Sequence, residues 1–433
     1  MTLAARFFAC RVAEMVRVKG MWSAELRGVA VFACACAAFT CFVDPGPVGG
    51  DSEGMNPTSS TSAATAETTT STATSTSAGV SSSGEPGCDG DDACPIDEVC
   101  IDGLCQAAAC EPFVRVKDYE EPAVMLLIDK SRSMVNNTWD HDGIIDTLAE
   151  TRWKTLHRTL IEVAGLAEGS FDFGLKLFPD IGVPNAYESA ACAVSGAPDI
   201  VLMEGVSVLL ADTLPNSNAT AMDGDIAGGT PAALAIEVGV NHLMALGESE
   251  RSHFILMVTD GGANCRTDAE STAELFESYD MSVLDAAKDA VASGVEVAIV
   301  GLEISSIENT TQADGKPDKI VPSQVISALA EAGGMPPNDG AVFPNAVDES
   351  SLFDGLNAHL RVMSCTVTAA PPKGGAQLKG LRVDGQQFQA LTAEKCIGGD
   401  GFADLGGGRL RLCGVACSLY LTSLSVELNY VCN

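Results

Sequence analysis

The first residues that could do chemistry in this sequence stand at the end of an apolar run, AVMLLID, at positions 123–129. The run closes on the carboxylate of Asp129, and the hydroxyls of Ser131 and Ser133 follow at alternate positions. Such a group could take part in phosphoryl transfer, hold a metal ion, or cap the following helix, since Ser is a preferred N-cap residue. Residues elsewhere in the chain bear on the choice among these roles.

Two further loops carry oxygen-bearing side chains of the same kind. Thr230 closes a Gly-Gly-Thr loop before a helical pattern at 231–246, and the apolar pattern HFILMVTD ends at Asp260. In open α/β sheets ligands bind beyond the carboxyl ends of the strands, so such loops come together. Hydroxyl and carboxylate oxygens are the ligands that hard divalent cations prefer. Helix capping alone does not explain Thr230 and Asp260, so the pattern predicts a metal site.

Together these residues have the form D-x-S-x-S … T … D, which resembles the metal-ion-dependent adhesion site of the von Willebrand factor type A (vWA) domain. The resemblance covers about residues 114–364 and implies a site made of Asp129, Ser131, Ser133, Thr230 and Asp260. It implies that the hydroxyls, that of Thr230 in one state only, bind Mg²⁺ (or Mn²⁺ or Ca²⁺) directly. The two carboxylates act largely through waters. Neutral hydroxyls leave much of the ion's charge uncancelled, so the ion takes a carboxylate from a protein or glycan partner. The resemblance therefore implies an extracellular adhesion protein.

Two other functions fit part of the pattern. The domain could be a structural or scaffolding component of a cell-surface complex, with a metal site that is structural only. A haloacid-dehalogenase-like phosphatase also has an Asp after an apolar strand, but Ser131 stands where that enzyme needs a second carboxylate for proton transfer. The sequence contains no GxxxxGK[ST] or HExxH motif. We therefore expect a binding protein and not an enzyme.

The elements that must position these residues alternate between strand-like and helix-like patterns over residues 112–364, the expected vWA domain. Continuous apolar runs, typical of strands buried on both faces, occur at 123–129, 253–260 and 295–303. Apolar residues at helical spacing occur at 153–167, 231–246 and 283–294. The alternation predicts an α/β fold with a doubly wound, mainly parallel, Rossmann-like sheet.

Charge and the N-terminal residues bear on location. The 433 residues carry a formal net charge of −33, which repels phosphate backbones and excludes nucleic acid as a partner. Residues 1–41 are expected to be a signal peptide, because Lys19 and Arg27 precede a short apolar run that ends at Cys41. The run resembles a bacterial lipoprotein signal with Cys41 as the lipid-bearing residue; an ordinary secreted protein, cut near the small residues, is the alternative. Either way we expect an exported protein that contacts a membrane only through that anchor.

Three flanking segments complete the expected organisation. Residues 42–87 are rich in Ser and Thr with few large apolar residues, which predicts a disordered linker. Residues 88–110 are rich in cysteine and are expected to form a small disulfide-bonded module. Residues 365–433 alternate polar and apolar side chains around turns and cysteines, which predicts a small disulfide-bonded β module.

The cysteines predict specific bridges. Of the 16 cysteines, 12 follow Cys41, an even number that suits disulfides in an oxidising compartment. Cys110 lies just before the expected vWA domain and Cys365 just after it. Because the termini of that fold lie close together, we expect a bridge between these two residues that clamps the domain. A second bridge is expected between Cys192 and Cys265, in loops at the metal edge of the sheet.

Overall fold

The computed structural model describes most of the chain from residue 98 onward. The described residues are 98–101, 104–107, 113–144, 146–186, 188–248, 250–335, 342–369 and 376–431. Three expected segments lie outside them: the signal peptide at 1–41, the linker at 42–87, and most of the module at 88–110, Cys110 included. Within the described part of the chain, no helix is both long enough and apolar enough to cross a membrane.

Strands and helices alternate through the middle of the chain, and strands dominate its C-terminal part. The strands are β1 Glu98–Ile101, β2 Leu104–Ala107, β3 Phe113–Asp118, β4 Ala123–Asp129, β5 Thr138–Trp139, β6 Glu150–Thr151, β7 Asp172–Phe178, β8 Ile200–Met203, β9 His253–Thr259, β10 Val295–Leu302, β11 Asn345–Ala346, β12 Thr366–Thr368, β13 Gln377–Val383, β14 Gln386–Phe388, β15 Ala390–Leu391, β16 Gly401–Gly406, β17 Arg409–Cys413 and β18 Ser425–Val431. The helices are α1 Ser133–Asn136, α2 Arg152–Ala167, α3 Ser207–Thr213, α4 Ala232–Met244, α5 Thr272–Glu277, α6 Ser282–Ala292, α7 Pro322–Ala332, α8 Glu349–Ser364, α9 Ala393–Cys396 and α10 Val415–Ser423, with a 3-10 helix at Ser189–Cys192.

The central sheet has six strands in the order β11-β10-β9-β4-β7-β8. The strands run parallel except β8, which pairs antiparallel with β7 at one edge. Every residue of β4, β9 and β10 is buried, because helices cover both faces of the sheet. The α/β class and the mainly parallel sheet that the sequence predicts are therefore confirmed.

Each face of the central sheet has its own apolar core. On one face α2 packs beside α8, and Trp153 and Leu356 are fully buried there. On the other face α4, α6 and α7 cover the strands, with Ile236 and Leu329 in the core. Each long helix buries one stripe of apolar side chains at helical spacing. This packing holds the parallel strands in register, so that their carboxyl ends meet at a single edge.

Two four-stranded sheets form a β module that contains the C-terminal residues. Their orders are β12-β17-β16-β15 and β14-β13-β18-β3, and Leu381, Phe402 and Leu428 belong to the apolar core of the module. Strand β3 pairs antiparallel with β18 and so lies in this module. The sequence pattern instead groups β3 with the α/β unit, because no local signal points to a partner at the far end of the chain.

The described residues contain three disulfides. They are Cys192–Cys265, Cys365–Cys417 and Cys396–Cys413. The bridge from Cys365 therefore differs from the expected one to Cys110, a residue outside the described part of the chain. Cys365 directly follows α8 beside β17, where its carbonyl accepts a hydrogen bond from the Leu412 N–H, and this places its side chain against α10. Disulfide connectivity depends on such tertiary placement and cannot be deduced from spacing alone.

A capping box at the start of α8 leads to a first prediction. The Asp348 carboxylate accepts a hydrogen bond from the Ser351 N–H at 2.7 Å, and Ser351 Oγ accepts one from the Asp348 N–H at 3.0 Å. Asp348→Ala is expected to lower the free energy of unfolding by about 1 kcal/mol, as measured by urea denaturation, because a helix N–H loses its acceptor. Asp289→Ala, at an exposed site inside α6, is the control and should change it by less than about 0.5 kcal/mol. Equal effects of the two variants would contradict the prediction.

Candidate metal centre

The five residues predicted to hold a metal ion lie in three loops at one edge of the central sheet. Asp129 is the last residue of β4, and Asp260 directly follows the neighbouring strand β9. Thr230 stands two residues before α4. Because β4 and β9 are parallel neighbours, their carboxyl ends lie side by side. The Arg132 N–H donates to the Gly228 carbonyl at 3.2 Å, which ties the first loop to the loop of Thr230.

Four of these residues form a chain of direct contacts. Ser131 Oγ and Ser133 Oγ lie 3.0 Å apart, and Ser133 Oγ donates to Asp260 Oδ1 at 2.6 Å. The Ser131 N–H donates to Asp129 Oδ1 at 2.8 Å. The structure thus brings two hydroxyls and two carboxylates from separate strand ends into one cluster.

Thr230 lines the same cleft as this cluster. The cleft has a volume of about 640 Å³, and Ser131, Ser133 and Asp260 also line it. Asp129 has no exposed surface and does not line the cleft, so it is buried behind the hydroxyls. A molecule that enters the cleft meets the hydroxyls and Asp260 before it could approach Asp129.

Burial governs the charge of Asp129. Removal from water, and next the negative charge of Asp260, raise the pKa of Asp129 to about 7. Hydrogen bonds oppose this rise only in part, among them the one that Thr259 Oγ1 donates to Asp129 Oδ2 at 2.6 Å. Two carboxylates in one buried cluster disfavour each other's ionised form. The cluster therefore favours the arrival of a positive charge.

Arg152 is a member of the site that the sequence does not reveal. Its Nη1 donates to Asp260 Oδ2 at 2.9 Å, and its Nη2 donates to Glu303 Oε2 at 2.6 Å. Burial by itself would lower the pKa of Arg152, but Asp260 and Glu303 hold it above its ordinary value. Arg152 is the first residue of α2, where a positive charge opposes the helix dipole. This unfavourable position of the Arg152 charge is the one local feature of the sequence that indicates a carboxylate partner elsewhere in the chain.

Comparisons with known proteins add the following findings. No family model and no curated protein matches the sequence. Solved structures do match. The conserved hypothetical protein BatB from Bacteroides thetaiotaomicron is 14% identical, over 56% of this chain and 98% of that one, with a TM-score of 0.36. The pilus adhesin SpaC from Lactobacillus rhamnosus GG is 15% identical, over 72% of this chain and 40% of that one, with a TM-score of 0.39. The manganese-loaded TRAP protein from Plasmodium vivax is 15% identical, over 58% of this chain and 77% of that one, with a TM-score of 0.33.

The order of the strands and the position of the loops bear on the fold type of this chain. Its parallel sheet has β4 at the centre and an antiparallel edge strand, and loops from β4, from β9 and before α4 meet at the carboxyl edge. This architecture is compatible with a vWA-like fold. In this α/β unit the cleft lies at the edge where ligands of open α/β sheets bind.

The side chains at this edge of the α/β unit fit a divalent cation. The cluster offers only oxygen donors, which hard cations such as Mg²⁺ prefer. Ser131, Ser133 and Asp260 could hold such an ion from the cleft, and Asp129 would contribute charge from behind. Arg152 offsets only one of the two negative charges. A bound cation would add the positive charge that this buried acidic pair lacks.

A second acidic group lies at the opposite edge of the sheet. Carboxylate oxygens of Glu121, Asp172 and Glu204 lie within 4.8 Å of one another. Burial, and then the charges of Glu204 and Asp172, raise the pKa of Glu121. Arg251 forms an ion pair with Asp172 and donates to the Glu121 carbonyl. This ion pairing accounts for part of the group's charge, and none of its three acidic residues lines the cleft of the candidate metal centre.

Proposed function

We propose that this chain is an exported binding protein whose vWA-like unit holds one divalent cation, Mg²⁺ or Mn²⁺, and through it binds a carboxylate of a protein or glycan partner. The ligand set would be Asp129, Ser131, Ser133, Thr230 and Asp260. The observation that carries the proposal is the contact chain from Ser131 through Ser133 to Asp260 at the base of an open cleft. Hydroxyls have no charge, so the ion would keep most of its attraction for an anion.

The balance of charge at the base of the cleft supports a carboxylate partner. A divalent cation and Arg152 together carry one more positive charge than the carboxylates of Asp129 and Asp260 carry negative charge. The cleft is also lined by three further acids and two bases: Glu303, Glu308, Asp314, Arg132 and Lys316. Glu303 is about half exposed and paired with Arg152, so solvent screens much of its effect. An anionic group would therefore meet an excess of positive charge at the ion itself, although the chain as a whole is strongly acidic.

Disulfides support the exported location. The three bridges in the described residues are typical of proteins from oxidising compartments. We further propose that Cys41 carries a lipid and that residues 42–87 act as a tether between this anchor and the binding unit. Mass spectrometry of the membrane fraction tests the anchor, since lipidation would leave Cys41 as the modified first residue.

Titration with Mn²⁺ tests the cation site and the open position on the ion. We expect the protein to bind one equivalent of Mn²⁺, detected by electron paramagnetic resonance, and to release it to EDTA. Acetate should lower the water-proton relaxation enhancement of the bound Mn²⁺, because a carboxylate would displace water from the ion. Acetamide, which has the same shape without the charge, is the matched control and should have little effect.

The outcomes separate the candidate functions. Absence of Mn²⁺ binding would contradict the metal site altogether. Binding of Mn²⁺ that acetate and acetamide affect equally would favour a structural metal in a scaffolding protein. Phosphatase activity that disappears in an Asp129→Asn variant would favour the enzyme.

A further inference from the structure

We infer that Asn264 and the Cys192–Cys265 disulfide are positioning residues, which hold Thr230 rigidly and so make the site select Mg²⁺ or Mn²⁺ over the larger Ca²⁺. The inference rests on the proposed cation site and adds what sets its selectivity. Selectivity between these ions depends on the size and the flexibility of the ligand cage, since Mg²⁺ demands strict short-range geometry and Ca²⁺ accepts a looser one. A ligand loop that cannot move therefore favours the smaller ion.

Asn264 fixes the backbone of Thr230 on both sides. Its side-chain Oδ1 accepts a hydrogen bond from the Thr230 N–H at 2.7 Å, and its backbone N–H donates to the Thr230 carbonyl at 3.2 Å. Its Nδ2 donates to the carbonyls of Phe276 at 3.2 Å and Gly315 at 3.0 Å. The side chain is almost fully buried, so water competes little for these bonds. One amide thus joins the Thr230 loop to two other segments of the chain.

The disulfide packs against the same loop. A Cβ atom at Gly229 would lie 2.5 Å from Cys265 Sγ, so the backbone of this residue rests directly on the bridge. At the other end of the bridge, the Ala191 carbonyl accepts a hydrogen bond from the Gly229 N–H at 3.1 Å. Gly228 has a φ of +90°, and a Cβ there would lie 2.4 Å from the same carbonyl. Residues 228 and 229 can lie this close to the disulfide because both are glycines and have no Cβ atom.

These contacts join every loop of the site. Gly228 accepts from Arg132 in the loop that carries Ser131 and Ser133. Asn264 and Cys265 lie in the loop that follows Asp260. The Cys265 N–H donates to the Leu275 carbonyl at 2.7 Å, which anchors that loop on α5. Movement of Thr230 would therefore require the breaking of several bonds at once.

Asn264→Ala tests the inference through the ratio of Mn²⁺ affinity to Ca²⁺ affinity. We expect the Mn²⁺ affinity to fall about tenfold or more, as for other residues that orient metal ligands, and the Ca²⁺ affinity to fall much less. Asn345→Ala is the matched control. Asn345 also bonds one backbone segment twice, since its Oδ1 accepts from the Ile304 N–H and its Nδ2 donates to the Ile304 carbonyl. The control should keep the wild-type ratio.

Removal of the disulfide gives a second and independent test. The double variant Cys192→Ala, Cys265→Ala should show the same loss of selectivity, whereas Cys365→Ala, Cys417→Ala removes a bridge in the β module and should not. This pair of variants decides the matter if Asn264→Ala does not fold. Unchanged ratios in folded variants, or equal losses in the controls, would overturn the inference and leave the proposed function standing. A wild-type protein that binds no Mn²⁺ would instead overturn the proposed function.

Discussion

Replacement of Asp129 with Asn is expected to weaken cation binding strongly and, in the absence of cation, to stabilise the fold. The pKa of Asp129 is raised from 3.8 to about 7 by burial and by the charge of Asp260. Between about pH 4 and pH 7 the folded chain therefore binds more protons at this residue than the unfolded chain does. The stability of the cation-free protein falls as the pH rises through that window, and the loss is complete above it. Asn has no charge to bury, so the variant avoids the loss.

The surroundings of Asp129 can accept an amide. The Asn Oδ1 would accept from the Ser131 N–H as the carboxylate does, and its Nδ2 would donate to Thr259 Oγ1. The hydroxyl hydrogen of Thr259 could then turn to the Gly261 carbonyl, which lies 3.2 Å from it. Since no buried polar group loses its partner, we expect a gain of about 2 to 4 kcal/mol above pH 7, where one pKa unit corresponds to about 1.4 kcal/mol.

Urea denaturation in EDTA at pH 5 and pH 8, together with Mn²⁺ titration, measures both effects. The variant should bind Mn²⁺ at least about 100-fold more weakly and should gain stability mainly at pH 8. Asp199→Asn is the matched control. The Asp199 carboxylate accepts from the Leu177 N–H and lies 3.5 Å from the buried Lys176 Nζ, so its loss should destabilise the fold and leave Mn²⁺ binding intact. A variant of Asp129 that is less stable than wild type in EDTA at pH 8 would refute this account.

Much of the site's placement follows from local sequence signals. Asp129 and Asp260 each end an apolar run, and strand ends of this kind can be recognised in the sequence. The sheet then brings them to one edge, because parallel strands share a direction. Arg152 could not be predicted, since its partner Asp260 is distant in the chain and the only signal is a basic residue at a helix start.

The limits of sequence reasoning are clearest in the β module. Strand β3 finds its partner in β18, and no pattern in Phe113–Asp118 indicates which distant strand that is. The bridge between Cys365 and Cys417 depends on how α10 packs after β17, so residue spacing could not select it. Alternation of polar and apolar residues predicts strands, whereas the order of strands is decided by long-range packing.

Loss of Glu296 is the second change for which we expect a large effect. Glu296 lies in β10 of the α/β unit and is almost fully buried. Arg411 in β17 of the β module donates to both of its oxygens through Nη2, at 3.2 and 3.1 Å, and Arg409 Nη1 lies 3.8 Å away. Glu296→Ala would leave Arg411 buried without a carboxylate. We expect the free energy of unfolding to fall by about 3 to 5 kcal/mol.

The matched control is an ion pair of the same type at the surface. Glu427 lies 3.5 Å from Arg382, and both side chains are more than 40% exposed. Glu427→Ala should lower the free energy of unfolding by less than about 1 kcal/mol. The double variant Glu296→Leu, Arg411→Leu should recover part of the loss, since it removes the unpaired charge together with its partner.

Because the Glu296–Arg411 pair joins the α/β unit and the β module, its loss should lower the stability of both. Two of the three tryptophans, Trp139 and Trp153, are buried in the α/β unit, and the β module has none. Tryptophan fluorescence during urea denaturation therefore reports on the α/β unit, while hydrogen exchange at β17 and β18 reports on the module. We expect Glu296→Ala to shift the fluorescence midpoint to lower urea and to speed exchange in the module. The contrary outcome is a fluorescence midpoint equal to that of wild type, with faster hydrogen exchange in the module alone. That result would show that the buried pair holds the module in place without stabilising the unit that carries the candidate metal centre.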